Sequence, residues 1–220
     1  MVHSHSVSVD LHVHSILSYD GGISQRGLEK ILTTKLDVVA ITDHNSIEFA
    51  VFMKKKLGEK IIVGEEIASR DGEVIGLFLK TAIEPGLSLA QTAQKIHNQG
   101  GMVYIPHPFE KQRSSVSWDT IQQHTEDIDV LETFNARSFG RKKTPVLQEQ
   151  INKLPVSFAS SSDAHCALGI GTAYTILADP PTQNTLVSLL KKGDMVTSYA
   201  PIFSYLCPFV NKLRYMFYNK

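Results

Sequence analysis

Five packets of metal-ligand residue types each close a short apolar run. Asp10-Leu11-His12-Val13-His14 is the first. Thr42-Asp43-His44 ends Val38-Val39-Ala40-Ile41, and Gly64-Glu65-Glu66 ends Ile61-Ile62-Val63. Pro106-His107-Pro108 ends Met102-Val103-Tyr104-Ile105, and Ser162-Asp163-Ala164-His165 follows Val156-Ser157-Phe158-Ala159. Imidazole and carboxylate donors without cysteine suit Zn, Mn or Fe. Such ions lower the pKa of bound water to about 7, and a pair roughly 3.5–4 Å apart clamps both oxygens of a phosphoryl transfer. The packets therefore point to metal-assisted hydrolysis. His12 and His14 are two apart on a strand and share one face, with Val13 on the other.

Donors scattered over more than 150 residues meet only if the elements carrying them deliver them to one end. Short apolar runs bounded by turn residues read as buried strands. The pattern predicts strands over 7–13, 38–42, 60–63, 73–79, 102–105, 128–134, 156–159 and 173–177. Helices are expected over 25–35, 46–56, 88–98, 118–124, 143–153 and 181–192. Ser88 with Gln91 spells a capping box, and Ser117 spells a cap. Strands alternating with helices imply a parallel sheet with right-handed crossovers. Donors running from the first strand to the last favour a closed barrel, with its chemistry at the C-terminal strand ends.

The ordered set resembles the motifs of the polymerase-and-histidinol-phosphatase (PHP) superfamily. It comprises Asp10-Leu11-His12-Val13-His14-Ser15, Ser18-Tyr19-Asp20-Gly21, Ile41-Thr42-Asp43-His44, Gly64-Glu65-Glu66-Ile67, Pro106-His107-Pro108 and Ser162-Asp163-Ala164-His165. The resemblance implies an α/β fold, a distorted TIM-like (β/α)7 barrel with a trinuclear metal site, and phosphoesterase chemistry. It implies two or three divalent ions, Mn, Fe or Zn. The first would take His12, His14, Glu66 and Asp163. Glu66 would bridge to a second, held also by His107 and by a residue of the strand beginning at Glu73. The third would take Asp20, His44 and His165. Many members have a histidine where this chain has Glu73, and a carboxylate there favours a harder ion. The expected reaction is in-line attack on phosphorus by a metal-bridging hydroxide, with Asp163, His165, Glu66 and His44 at its centre.

Asp10 and Asp43 each neighbour a predicted ligand and are candidates to orient an imidazole; Asp43 is also a candidate cap for the helix near Ser46. Arg113 and Arg137 lie at the right barrel end to hold phosphate bidentately. Asn135 is a candidate for substrate or metal-bound water, and Tyr19 for stacking on a base or for packing. Glu65 is expected to face solvent or to assist Glu66. His3, His5, His97, His124 and Arg141-Lys142-Lys143 carry no expected role.

With 220 residues, 42% hydrophobic and 20% charged, the chain has the make-up of one ordinary globular domain. Residues 1–200 are expected to form the barrel and 201–220 an aromatic, basic segment packed on its outside, the sharper alternative being an interfacial or partner-docking helix. Zero formal net charge argues against long duplex DNA as a partner. A small phosphorylated substrate or a short nucleic-acid end fits better. Nothing approaches the roughly 20 apolar residues of a membrane span. Two cysteines give no disulfide framework and suggest the cytoplasm, with Cys166 as a small buried filler. The rival functions are an amidohydrolase-like metallohydrolase acting on a C–N or C–O bond and a degenerate barrel serving as a binding module. Against the first, no candidate bridging lysine stands at a strand end.

Overall fold

A computed structural model describes residues 6–108, 110, 113–138 and 145–218. Strands β1 (Val7–Val13), β2 (Val38–Ile41) and β3 (Ile61–Ser69) run parallel, pairing Val9 with Val38 and Val39 with Ile61. Strand β4 (Gly72–Leu77) turns back on β3, and β5 (Met102–Ile105) runs antiparallel to β4. Parallel pairing resumes with β6 (Val130–Asn135) and β7 (Ser157–Ser161). On the other side β8 (Tyr174–Leu177) and β9 (Asp194–Val196) pair antiparallel, giving the order β7-β6-β5-β4-β3-β2-β1-β8-β9. The sheet then curls back on itself. Val13 bridges Ala164, the His14 amide donates to Ala164 O at 2.9 Å, and the Ser160 amide donates to Thr175 Oγ1 at 3.1 Å. The result is a nearly closed barrel.

Helices α1 (Gln25–Thr34), α2 (Glu48–Leu57), α3 (Leu89–His97), α4 (Trp118–Gln123), α5 (Pro145–Asn152), α6 (Leu186–Leu190) and α7 (Cys207–Tyr218) complete the fold. Ser88 and Gln91 form the expected capping box, and Ser24 and Ser117 cap α1 and α4. Strand alternation divides the core in two. Leu28, Leu32, Met53 and Ile96 pack on Ile41, Val63 and Val103 outside the sheet. Leu11, Ile62, Ile75, Leu77 and Tyr104 fill the interior, joined by Leu186 and Leu190 of α6. Each fully buried leucine contributes about 1.5–3 kcal/mol.

The expected strictly parallel, alternating pattern is broken at the β3–β4 hairpin, where no helix intervenes. That reversal matters for the site. Because β4 runs backwards, Glu73 near its start lies at the end of the barrel where parallel neighbours finish. The helix expected over 181–192 is shorter, and β9 and α7 add elements the apolar pattern did not mark.

Candidate metal centre

The donors converge. His12 Nε2 lies 3.5 Å from Glu66 Oε2 and 3.6 Å from Asp163 Oδ1; His14 Nε2 lies 3.2 and 3.5 Å from the same two atoms. Glu66 turns its other oxygen to His107 Nε2 at 3.1 Å, and Glu73 Oε2 stands 3.5 Å from that nitrogen. His44 Nδ1 reaches Glu66 Oε2 at 3.3 Å and Glu73 Oε1 at 3.9 Å. Asp20 Oδ2 lies 3.5 Å from His44 Nε2 and 3.3 Å from His165 Nε2. All nine predicted ligands therefore fall in one connected cluster, within which groups of three or four donor atoms lie within 4.8 Å of one another. Glu66 presents oxygens to both sides, as a bridging carboxylate must.

Two features of this packing fit a donor set for cations. His12 Nε2 and His14 Nε2 face each other at 3.1 Å, both turned to the Glu66 and Asp163 carboxylates. His14 Nδ1 is buried and finds no hydrogen-bond partner among the described residues. His107 and Asp163 also hold left-handed backbone, with φ of 30° and 51°. Non-glycine residues adopt that region sparingly, and such strain clusters at functional sites.

Electrostatics follow the same map. Burial lowers the His14 pKa, but the Asp163 and Glu66 carboxylates override it and raise the group to about 9. His12 is raised well above the ordinary range against burial by Asp163, Glu66 and Glu132. Burial pushes Glu66 and Asp163 up, yet His12 and His44 hold Glu66 well below the carboxylate range, and Arg113 and His12 hold Asp163 there. Glu73 is raised by burial and by the charge of Glu66. His165 drops to about 3 through burial, with His14 and Arg137 adding to it.

Seven of the nine, all but His12 and His14, line a cavity of about 480 Å3, with Tyr19, Arg113, Arg137, Pro208 and Lys212 among the other walls. Arg113 Nη1 pairs with Asp163 Oδ2, and Arg137 Nη1 lies 3.3 Å from Asp163 Oδ1. Asn135 is buried and donates to Glu132 Oε2 at 2.8 Å and to Asp163 Oδ2 at 3.1 Å, so its amide positions carboxylates. Tyr19 stacks on His44 with ring centroids 4.8 Å apart.

Several expectations need correction. Asp10 does not orient an imidazole: it accepts from the amides of Ser162 at 3.0 Å and His12 at 3.4 Å. The reason is a register slip in β1 between Asp10 and Val13, which breaks the alternation that would have set its carboxylate beside the His12 ring. Asp43 neither meets His44 nor caps α2; it accepts from the amide and hydroxyl of Ser15. Glu65 is not solvent-facing. It is fully buried on the outer side of β3, accepts from the Ile83 amide at 2.8 Å, and is pushed by burial to about 7. Cys166 is not a buried filler but is bonded to Cys207. His97 pairs with Asp129 at 2.9 Å and His124 with Asp127 at 3.0 Å. His3, His5, Lys220 and Arg141-Lys142-Lys143 lie outside the described residues.

Sequence reasoning missed Glu132 and Lys212. Glu132 is buried on β6, 3.2 Å from His12 Nδ1, and accepts from Tyr104 at 2.9 Å and from the His107 amide. An acid inside the apolar run Val130-Leu131-Glu132 was the available signal, since a buried carboxylate needs partners. Lys212 reaches the cavity from α7. The aromatic segment lies against the site end of the barrel: Asn211 and Arg214 donate to the carbonyls of Asp20, His165, Gly21 and Ile16, while Phe203, Phe209 and Phe217 stay exposed.

The family model for PHP-associated sequences matches residues 148–195, the stretch that carries Asp163 and His165. The uncharacterized protein MJ0417 of Methanocaldococcus jannaschii is 35% identical over 173 residues, covering 76% of this chain and 69% of that protein. A two-domain protein from Bacteroides vulgatus, described as containing a predicted PHP-like metal-dependent phosphoesterase, has the same fold at 16% identity. Its TM-score is 0.67, over 94% of this chain and 70% of that one. The chain belongs to the PHP superfamily. A lesion-specific endonuclease from Pyrococcus furiosus shares the fold at a TM-score of 0.62 and 14% identity, over 86% of this chain and 57% of its own. Among the described residues, no helix is long and apolar enough to cross a membrane.

Proposed function

We propose that this PHP protein is a metal-dependent phosphoesterase that hydrolyses a small phosphorylated substrate: a nucleotide, a short oligonucleotide 5′ end or a phosphorylated metabolite. The observation that carries the reading is the convergence of nine imidazole and carboxylate donors in one cluster, seven of which line a cavity whose wall also bears Arg113 and Arg137. In this reading His12, His14, Glu66 and Asp163 hold one divalent ion, His107, Glu73 and Glu66 a second, and Asp20, His44 and His165 a third. Bound ions supply Lewis acidity and a nucleophile at neutral pH. The carboxylate of Glu73 in place of an imidazole favours Mn or Fe over Zn.

The chain's own groups do the rest. Arg113 and Arg137 balance Asp163 and are set to turn their guanidinium groups to phosphoryl oxygens, which they bind bidentately. Asn135 and Glu132 keep Asp163 and His12 in one orientation. Tyr19 covers the His44 face of the pocket and limits water there. A cavity of about 480 Å3 lies in the range of small-molecule sites, which favours a compact substrate or a chain terminus over long duplex DNA. The lesion-specific endonuclease among the structural relatives keeps nucleic acid in the set of substrates.

The test is phosphate release from aryl phosphate, histidinol phosphate, mononucleotides and short 5′-phosphorylated oligonucleotides, with Mn2+ and after chelation. Metal-dependent turnover of at least one member is expected. No turnover by protein shown to hold its metals would contradict the reading and shift weight to an amide-cleaving metallohydrolase.

A further inference from the structure

We propose that Lys212, carried across the mouth of the metal pocket by α7, reads a second anionic group on the substrate. The preferred substrate is then a phosphate ester whose remainder bears its own phosphate or carboxylate. The inference rests on the phosphoesterase reading above and adds to it a specificity-determining residue outside the PHP motifs.

Three cations line the cavity: Arg113, Arg137 and Lys212. The two arginines are both engaged with Asp163. Lys212 differs. Among the described residues it has no carboxylate within ion-pair distance, and its ammonium instead sits 5.0 Å from the centroid of the Tyr19 ring. Tyr19 in turn stacks on His44. The ammonium therefore stands beside the donor cluster, one aromatic ring removed from it, and cannot be spent on neutralising the ligands. A cation held in a pocket wall without an anion is a site for one.

Its position is built rather than accidental. Asn211, next in sequence, donates from one amide nitrogen to the carbonyls of Asp20 and His165, each at 2.9 Å. Arg214 donates to Gly21 O at 2.8 Å and Ile16 O at 3.2 Å. The helix comes so close that a Cβ on Gly22 would lie 2.7 Å from Asn211 Nδ2. The Cys166–Cys207 bond ties the start of the helix to the residue after His165. Two predicted metal ligands thus set the height of the helix above the cavity. Residues 201–220 contain no acid, so this wall brings only positive charge. Because Lys212 lies outside the donor set, the group it meets is separate from the phosphoryl group at the ions.

The probes are alkane-α,ω-bisphosphonates with two to five methylenes, compared with monophosphonates of equal length. Their C–P bonds resist hydrolysis, so binding to the metal-loaded protein is read by calorimetry independently of turnover. At least one bisphosphonate should bind the wild type more tightly than its monophosphonate. Lys212→Gln should lose that advantage, roughly tenfold in Kd as for one charge-assisted hydrogen bond, with monophosphonate affinity unchanged and Lys212→Arg restoring it. Lys212 is exposed, so these variants fold. Equal affinities for the two probe types, an equal loss for both in Lys212→Gln, or no binding of either would overturn the proposal. Parallel assays of aryl phosphate hydrolysis separate the two claims. Turnover without a bisphosphonate advantage sinks only the role of Lys212; the advantage without turnover sinks the phosphoesterase reading and leaves an anion-binding role for Lys212.

Discussion

Glu132 Oε1 lies 3.2 Å from Nδ1 of His12, and this contact decides which nitrogen of that histidine faces the donor cluster. With Nδ1 engaged by the carboxylate, Nε2 is turned toward His14, Glu66 and Asp163. A carboxylate behind a ligand imidazole fixes its tautomer and raises its basicity, and losing such a partner costs about 10–100-fold in metal affinity. Glu132→Gln keeps shape and removes charge. It is expected to weaken divalent-ion binding by about tenfold, measured by competition with a chromophoric chelator. Unchanged affinity would mean that Glu132 serves the fold alone.

The same carboxylate depends on Tyr104, whose hydroxyl contacts Glu132 Oε1 at 2.9 Å and Ser161 Oγ at 2.8 Å inside the barrel. Tyr104→Phe leaves both partners buried and short of a bond. The expected cost is about 1–3 kcal/mol, which for a chain of this size lowers Tm by roughly 2–4 °C per kcal/mol. A thermal melt of the variant reads it directly.

Protonation of the donor histidines makes the chelated protein sensitive to alkali. His14 is raised from 6.5 to about 9 in the folded state. A raised value means that the folded protein holds the proton more tightly than the unfolded chain does. Its contribution is complete below 6.5 and is lost as pH climbs through about 9. The Tm of chelated protein should therefore fall between pH 7 and pH 9. A bound ion must displace that proton, so metal affinity should rise over the same interval, and the loaded protein should lose the alkaline fall. A chelated Tm that rises with pH across this window would show that the carboxylates do not hold protons on His12 and His14.

Cys207 tethers α7 to the loop of His165. Cys207→Ser releases that tether while Asn211 and Arg214 keep their hydrogen bonds. Faster amide exchange is expected in 207–218, with exchange in the strands unchanged. In a cytosolic setting the pair would be in exchange with the thiol pool, and the reduced protein should behave as the variant does. Equal exchange in both proteins would show that the hydrogen bonds suffice.

Much of the donor set was legible because those ligands sit at the ends of apolar runs, and strand ends can be read from hydrophobic pattern; Asp20, in the loop after β1, was marked only by the family resemblance. His12, His44, Glu66, His107 and Asp163 all lie where that logic puts them. Glu73 sits at the same barrel end for a different reason, the reversal of β4, and pattern alone does not give strand direction. Asp10 was misread because a register slip is set by pairing with the neighbouring strand rather than by the local sequence. Glu132 was hidden because its partners, His12 and Tyr104, lie far away in the chain. The path of α7 was illegible for the same reason: Asn211 and Arg214 are held by backbone carbonyls, which leave no mark on residue type. The Cys166–Cys207 pair escaped because two cysteines alone specify no bond.

The most direct test of the central claim compares wild type with Asp163→Asn for bound metal per chain and for metal-dependent phosphate release. Asp163 faces His12, His14, Arg113 and Arg137 together. If the cluster is a hydrolytic metal centre, the variant should lose bound metal and its phosphate release should drop to the level of chelated wild type. A variant that keeps full metal content and full activity would contradict the account.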